Sequence, residues 1–576
     1  MHKNPLLAID FYKADHRRQY PEGTNYVFSN LTPRSDRLSN LPSDSPVVFF
    51  GLQYYCLEFL QDCWGDNFFM QPKEKVVADY KEVMDSALGP DAFPLDHIEA
   101  LHDLGYLPIK IRALPEGSTV KHGVPVLTIE NTHPDFFWLV NYLETSLSAY
   151  LWKMCTSATT ARWYRSLVLD FAQRTASEAS SALVPFQCHD FSFRGMSGLE
   201  DAAMSGAAHL LFFSGTDTVP AIDFVKNYYS AEGFIGGSVP ATEHSVMCMG
   251  SKEGEFQTFE KLIKETYPSG IVSIVSDTWD FWKVMTEYLP ALKDDILARD
   301  GKVVIRPDSG DPVDIICGTL ETYDFSQYFG EGSKEYESDE EFIKSVKRFA
   351  RDKLLEVAHD LQEFGCYGEN NFEAIFTVGD RSFYGRVYIE YNRHDKTYYY
   401  IDDATVTEFS DISNIEASQK GAIEVLWDTF GGTVNEKGYK ELDSHVGLIY
   451  GDSITPQRAK TILERLEAKG FASTNVVFGI GSYTYNYTTR DTHGFAVKAT
   501  YGEVKGKGRE IFKDPATDNG TKKSAKGLLK VVAGELKDEQ TKGQMAEEDD
   551  FEVAFEDGNA RIDYFDDIRL TALSTI

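Results

Sequence analysis

No stretch of this 576-residue chain approaches the roughly 18 consecutive apolar residues of a membrane span. The start, Met1-His2-Lys3-Asn4-Pro5, shows neither the apolar core nor the cleavage site of a secretory leader, so we expect none. The last residues carry no lipidation cysteine. Cysteine is sparse and unpatterned: Cys56, Cys63, Cys155, Cys188, Cys248, Cys317 and Cys366 form no CxxC or CxxH pair. An odd, scattered set points to reduced thiols and a cytoplasmic location, with small buried apolar side chains as the plainer role. Positive charge is also short. Against 90 Asp and Glu stand 57 Lys and Arg, leaving a formal net charge of −33. That balance argues against a nucleic-acid partner, and we expect no membrane partner either. HExxH and other metal-ligand spacings, the GxSxG elbow and the Walker A loop are missing, and no GxGxxG stands at a suitable strand turn. The last absence weakens a dinucleotide-dependent oxidoreductase.

What the chain does have is a series of short apolar runs that stop abruptly. Leu210–Phe213 meets Ser214-Gly215-Thr216-Asp217, and Ile271–Val275 meets Ser276-Asp277. Val303–Ile305 meets Arg306-Pro307-Asp308-Ser309-Gly310, Val446–Tyr450 meets Gly451-Asp452-Ser453, and Val476–Phe478 meets Gly479-Ile480-Gly481-Ser482. Such runs predict strands buried on both faces, hence a parallel sheet. Helical stretches such as Asp280–Leu289 lie between them, so the expected fold class is α/β, a barrel or a doubly wound sheet. Ligands in those folds lie at the carboxyl ends of the strands, where these Asp, Arg and Gly residues recur.

Residues of about 325–420 read as an inserted α+β module. Phe342 to Leu361 share a helical face with Gly365 as its stop, and Phe383–Tyr391 with Lys396–Ile401 read as a hairpin. The acidic cluster from Glu335 to Glu341 reads as a solvated lead-in. Lys498 to Lys530 holds nine Lys and Arg against four acids, an excess that is either an anion site or a solvated loop.

Several residues suit one chemistry. Phosphate needs arginine and exposed backbone N–H groups, which Gly481-Ser482, Arg490 and Lys498 supply within one region. Ribose needs carboxylates for vicinal hydroxyls; Asp308, Asp452 and Asp277 qualify, although Asp after a strand also caps helices. A flat base needs an aromatic platform, for which Phe191, Phe193 and Tyr12 are candidates, though such rings are more often core. His244, in Pro240-Ala241-Thr242-Glu243-His244-Ser245, is by spacing alone an ordinary histidine.

Taken together, the motifs resemble the nicotinamide phosphoribosyltransferases, a type II phosphoribosyltransferase family. The resemblance rests on Asp10-Phe11-Tyr12-Lys13, Gly51-Leu52-Gln53-Tyr54, His189-Asp190-Phe191 with Arg194-Gly195, Gly215-Thr216-Asp217, Glu243-His244-Ser245, Arg306-Pro307-Asp308-Ser309-Gly310, Gly451-Asp452, Thr489-Arg490-Asp491 and Phe565-Asp566 with Ile568-Arg569. These run in family order along nearly the whole chain outside the insertion. The resemblance implies an irregular α/β barrel of the type II phosphoribosyltransferase kind, with an additional mostly β domain from N- and C-terminal segments. The organisation expected is residues 1–180 for the β-rich part and dimer interface, 181–480 for the barrel, and 481–576 for phosphate binding.

The implied substrates are nicotinamide and 5-phosphoribosyl 1-diphosphate. Mg²⁺ would be bound mainly through the diphosphate, and ATP would be a co-substrate that phosphorylates His244. The implied assembly is a homodimer with active sites at the interface. His244, Asp308, Arg306 and Asp277 are the expected catalytic residues. Phe191 would stack on the base, with Tyr12 of the partner subunit over the other face and Asp217 on the carboxamide. Arg194 would meet the diphosphate with Arg306 and His244; Gly451 and Asp452 would join Asp308 on the ribose. Gly481, Ser482 and Arg490 would hold the 5′-phosphate, with Lys498, Lys513 and Lys522 along the anion channel. Asp10 and Ser273 complete the expected substrate contacts. Ser482 stands where the family has glycine, and its Cβ would shift the phosphate loop. The rival readings are a nicotinate-specific enzyme of the same fold, a glycosidase built on the strand-end carboxylates, and a non-catalytic nucleotide sensor.

Overall fold

The computed structural model describes residues 4–329, 336–363, 371–379, 381–393, 399–412, 415–512 and 525–576. It resolves into two compact units. The first is Met1–Ser166, Cys188–Ser238 and Ile480–Ile576; the second is Leu167–Gln187 and Val239–Gly479. Among the described residues no helix is long and apolar enough to cross a membrane.

In the first unit an antiparallel sheet joins the two ends of the chain. Its strands run in the order Lys507–Glu510, Ala496–Val504, Thr24–Thr32, Leu127–Asn131, Ile109–Ala113, Glu552–Glu556 and Asn559–Ala560. Ile109, Ile111 and Ala113 alternate inward, the period-two pattern of a sheet with one covered face. They share a core with Val27, Leu31, Ile129, Phe555 and the aromatic Trp64 and Phe68. The Gly51-Leu52-Gln53-Tyr54 motif is a structural joint in this unit. Gly51 has φ of 110°, and a Cβ there would collide with Met154. The buried Glu116 carboxylate accepts from Gly51 N at 2.8 Å, Gln53 N at 2.6 Å and the Tyr229 hydroxyl at 3.1 Å. Burial pushes its pKa up to about 7 against the pull of those donors.

One expected strand is not there. Leu210–Phe213 is the end of the Leu199–Leu210 helix and the turn after it, and the strand is only Gly215–Thr216. All four apolar side chains are buried. A buried helix end and a doubly covered strand look alike over so short a run.

The second unit is built on parallel strands in the spatial order Val476–Ile480, Val446–Tyr450, Asp300–Arg306, Ser269–Val275. Asp280 caps the helix expected after Asp277, its side chain accepting from Lys283 N at 3.0 Å. The inserted module is a separate sheet in the order Glu321–Asp324, Asn371–Val378, Arg381–Arg393, Tyr399–Asp411. The Asp339–Glu363 helix lays Phe342, Val346, Ala350, Leu354 and Ala358 into one cluster with Phe372, Phe376, Phe383 and Val387. Asp339, Glu340 and Glu341 are the first turn of that helix rather than a lead-in, where carboxylates offset the helix dipole. The expected hairpin is present with longer strands; Gly365 and residues 394–398 lie outside the described residues. The α/β expectation holds: parallel strands form a half-barrel sheet, and the β-rich domain and the α+β insertion have sheets of their own.

Candidate active site

The second unit gathers charge at its strand ends. Val275 and Arg306 pair in parallel register, so the loops after them lie side by side. Asp277 Oδ2 accepts from the Asp308 backbone N–H at 3.0 Å and from Ser309 Oγ at 2.5 Å. Asp277 is 5% exposed, and its Oδ1 is buried without a hydrogen bond. Ser273, buried within the Ser269–Val275 strand, exchanges backbone hydrogen bonds with the segment before His244: Ser273 N with Pro240 O, and Thr242 N with Ser273 O, both at 2.9 Å. That pairing brings His244, at the start of the His244–Met249 helix, to the carboxylates. Its Nε2 lies 3.9 Å from Asp277 Oδ1 and 3.8 Å from Asp308 Oδ2, and its Nδ1 is 3.4 Å from Thr278 Oγ1. Desolvation raises the Asp308 pKa; Asp277 and Asp452 push the same way, while Arg306 and His244 oppose them. Asp452, after Gly451, accepts from Ser453 Oγ at 2.7 Å. His244, Asp277, Arg306, Asp308 and Asp452 therefore share one electrostatic neighbourhood. An imidazole and a guanidinium there can meet an anion, and the carboxylates can take hydroxyls or face a developing cation.

The first unit assembles another group. The strands Cys188–Asp190 and Gly215–Thr216 pair in parallel, with His189 opposite Gly215. His189 Nε2 is 2.9 Å from Asp217 Oδ1, and Ser238 Oγ donates to the same oxygen. The His189 ring also lies 5.0 Å from the Phe191 ring at 53°. Phe191 N donates to Ile480 O at 2.9 Å, and Ser192 N to Asp190 Oδ1 at 2.9 Å, which fixes the loop carrying the exposed Arg194. Gly481 is extended, with φ of −90° and ψ of −177°, before the short Ser482–Asn486 helix. The Ser482 side chain sits in the space that a Cβ on Gly195 would occupy, and Asn486 Nδ2 donates to Gly195 O at 3.0 Å. His189 and Ser238 escaped the sequence reading as candidates. The signal that finds them is the pairing of two short parallel strands, which no local motif encodes.

Tyr12 is 61% exposed, and its phenol pKa is raised by burial, Glu144 and Asp10 against the opposing Arg490. Asp10, Tyr12 and Arg490 thus lie within electrostatic reach in one chain. Asp10 Oδ2 accepts from Thr145 Oγ1 at 2.7 Å, and Arg490 is 3.2 Å from its neighbour Asp491. Lys498 is exposed on the Ala496–Val504 strand, whereas Lys513 and Lys522 lie outside the described residues. Part of the basic stretch is neutralised locally. Lys526 pairs with Glu539 and, at 3.4 Å, Glu510, and Lys530 pairs with Glu547 at 3.3 Å.

The sequence profile of the nicotinate phosphoribosyltransferase family matches residues 186–336 and 406–556. That of the nicotinamide phosphoribosyltransferase N-terminal domain matches residues 4–111. A nicotinamide phosphoribosyltransferase of Acinetobacter baylyi is 50% identical over 567 residues, covering 96% of this chain and 94% of that protein. One of Mycoplasma pneumoniae is 31% identical over 543 residues, covering 91% and 95%. Among solved structures, human nicotinic acid phosphoribosyltransferase aligns at 15% identity with a TM-score of 0.45, covering 98% of this chain and 93% of that one. With a family profile across both sides of the insertion and relatives over almost its full length, the chain belongs to the nicotinate phosphoribosyltransferase family, among its nicotinamide phosphoribosyltransferase members.

Proposed function

We propose that the protein transfers the phosphoribosyl group of 5-phosphoribosyl 1-diphosphate to nicotinamide, forming nicotinamide mononucleotide and diphosphate. The relatives' names supply the reaction class. The observation that carries the reading is the strand-end cluster, in which His244 lies within 4 Å of both Asp277 and Asp308, with Arg306 and Asp452 close by.

The pyridine nitrogen uses its lone pair to form the bond to C1 of the ribose. The C1–O bond breaks, and its electron pair leaves with the diphosphate. That nitrogen carries no proton, so no general base is required at the ring. The demands are a stabilised oxocarbenium-like centre and a neutralised polyanion. Arg194, Arg306 and His244 serve the diphosphate, and Asp308 and Asp452 accept from the ribose hydroxyls. Gly481, Ser482 and Arg490 take the 5′-phosphate, with Lys498 adding positive charge. Phe191 stacks on the base, a second copy of the chain contributes Tyr12, and Asp217 accepts from the carboxamide NH₂. Nicotinate would place a second negative charge beside Asp217.

Among the described residues no group of three or more His, Cys, Asp or Glu side chains is placed to hold a metal ion by itself. In this reading Mg²⁺ would be held mainly by diphosphate oxygens, with Asp277 Oδ1, buried without a hydrogen bond, as a protein oxygen suited to it. When bound it supplies charge neutralisation for the leaving group. ATP enters this reading as a co-substrate whose γ-phosphoryl passes to His244, with hydrolysis of that bond coupled to synthesis. The test is mononucleotide formation from 5-phosphoribosyl 1-diphosphate with nicotinamide or nicotinate, with and without ATP. Nicotinamide should be strongly preferred and ATP should stimulate. Equal turnover of nicotinate would overturn the base assignment.

A further inference from the structure

His189 touches two things at once in the first unit. Its Nε2 meets Asp217, and its ring lies against Phe191. The geometry depends on Gly215. A Cβ there would come within 2.7 Å of His189 Nδ1, so only glycine lets the imidazole lie across the neighbouring strand and reach Asp217 two residues on. Ser238 is delivered to the same carboxylate by a second backbone device. Thr216 N donates to Gly237 O at 3.0 Å and Gly237 N to Ser214 O at 2.8 Å, which sets Ser238 beside Asp217. Both donors converge on Oδ1.

We propose that His189 and Ser238 are the positioning pair that sets the choice of base, by holding Asp217 in one rotamer. The inference rests on the nicotinamide reading above and deepens it. The Asp217 side chain is 44% exposed, and its χ1 and χ2 torsions offer several wells among which these two bonds select one. Two donors on one oxygen fix the plane of the carboxylate. A carboxylate so held accepts from an NH₂ group and repels a second carboxylate. A loosened one can turn away from the base. His189, 12% exposed, also fixes the ring on which the base stacks, so one side chain couples orientation of the base to reading of its substituent.

The experiment compares His189→Ala, Ser238→Ala, Ser238→Thr and Asp217→Asn with the unaltered enzyme. The readout is the ratio of kcat/KM for nicotinamide over nicotinate, with KM for 5-phosphoribosyl 1-diphosphate and thermal melting alongside. His189→Ala and Ser238→Ala should each lower the ratio about tenfold or more, as loss of a hydrogen bond to a charged group does. The change should come through KM for nicotinamide, with KM for the ribosyl donor unmoved. Ser238→Thr keeps the hydroxyl and should restore the ratio. A ratio unchanged in both alanine variants, while Asp217→Asn collapses it, overturns the positioning role and leaves the reading by Asp217 intact. An unaltered enzyme without preference, or an Asp217→Asn variant that keeps it, overturns the base reading itself. Should His189→Ala melt early, the Ser238 variants, on a separate loop, decide the matter.

Discussion

The Tyr450 hydroxyl lies 3.0 Å from Ser309 O and 2.9 Å from Gly310 O. It thereby ties the strand that ends in Gly451-Asp452 to the loop that carries Asp308. Two carboxylates assigned to the ribose are spaced by one phenol. Tyr450→Phe should cost about 1 kcal/mol of stability and raise KM for 5-phosphoribosyl 1-diphosphate several-fold, with less effect on kcat. Steady-state kinetics and a melting curve check both. An unchanged KM would mean that the loop holds its shape without the hydroxyl.

Asp308 gives a pH-dependent outcome. Its folded pKa lies above its ordinary value, chiefly through desolvation. The sign follows: this group's contribution to stability is fully present below the unfolded pKa and is lost as pH rises through the folded one. Asp308→Asn removes the penalty. The free variant should melt higher than the parent at about pH 7 and gain less at about pH 4, while its turnover falls by orders of magnitude. An equal gain at both values would separate the effect from ionisation.

Gly195 and Ser482 form a matched pair. Gly195→Ala would press a methyl group into the Ser482 side chain and displace the Gly481-Ser482 turn. We expect a raised KM for 5-phosphoribosyl 1-diphosphate. Ser482→Gly opens the space, so the double variant should recover much of the loss. A coupling energy of about 1 kcal/mol or more is expected for groups in direct contact; simple additivity would show that they do not compete.

His244→Ala should abolish stimulation by ATP and lower turnover, because the imidazole is the nitrogen base beside the two carboxylates. Initial rates at several ATP concentrations test this. Stimulation that survives the substitution would place the phosphorylated group elsewhere.

The strand ends were legible because each is a local signal, an apolar run cut off by Asp, Arg-Pro-Asp or Gly. Asp277, Arg306, Asp308 and Asp452 were all visible in that way, and their meeting follows from parallel register. Leu210–Phe213 misled, since four buried apolar residues suit a helix end as well as a strand. His189, Ser238 and Tyr450 stayed hidden for another reason. Each acts on a residue 21 or more positions away through a polar atom, and such contacts exist only once strands have paired. Ser482 looked like a defect in a glycine loop until Gly195 supplied the room for it.

Among the described residues the inserted module builds an aromatic-rich core of its own. The Asp339–Glu363 helix and the strands beside it close a cluster from their own side chains. A body that furnishes its own interior can drift, be trimmed or be exchanged while the catalytic strands keep their sequence. The family match breaks off at residue 336 and resumes at 406, within this module.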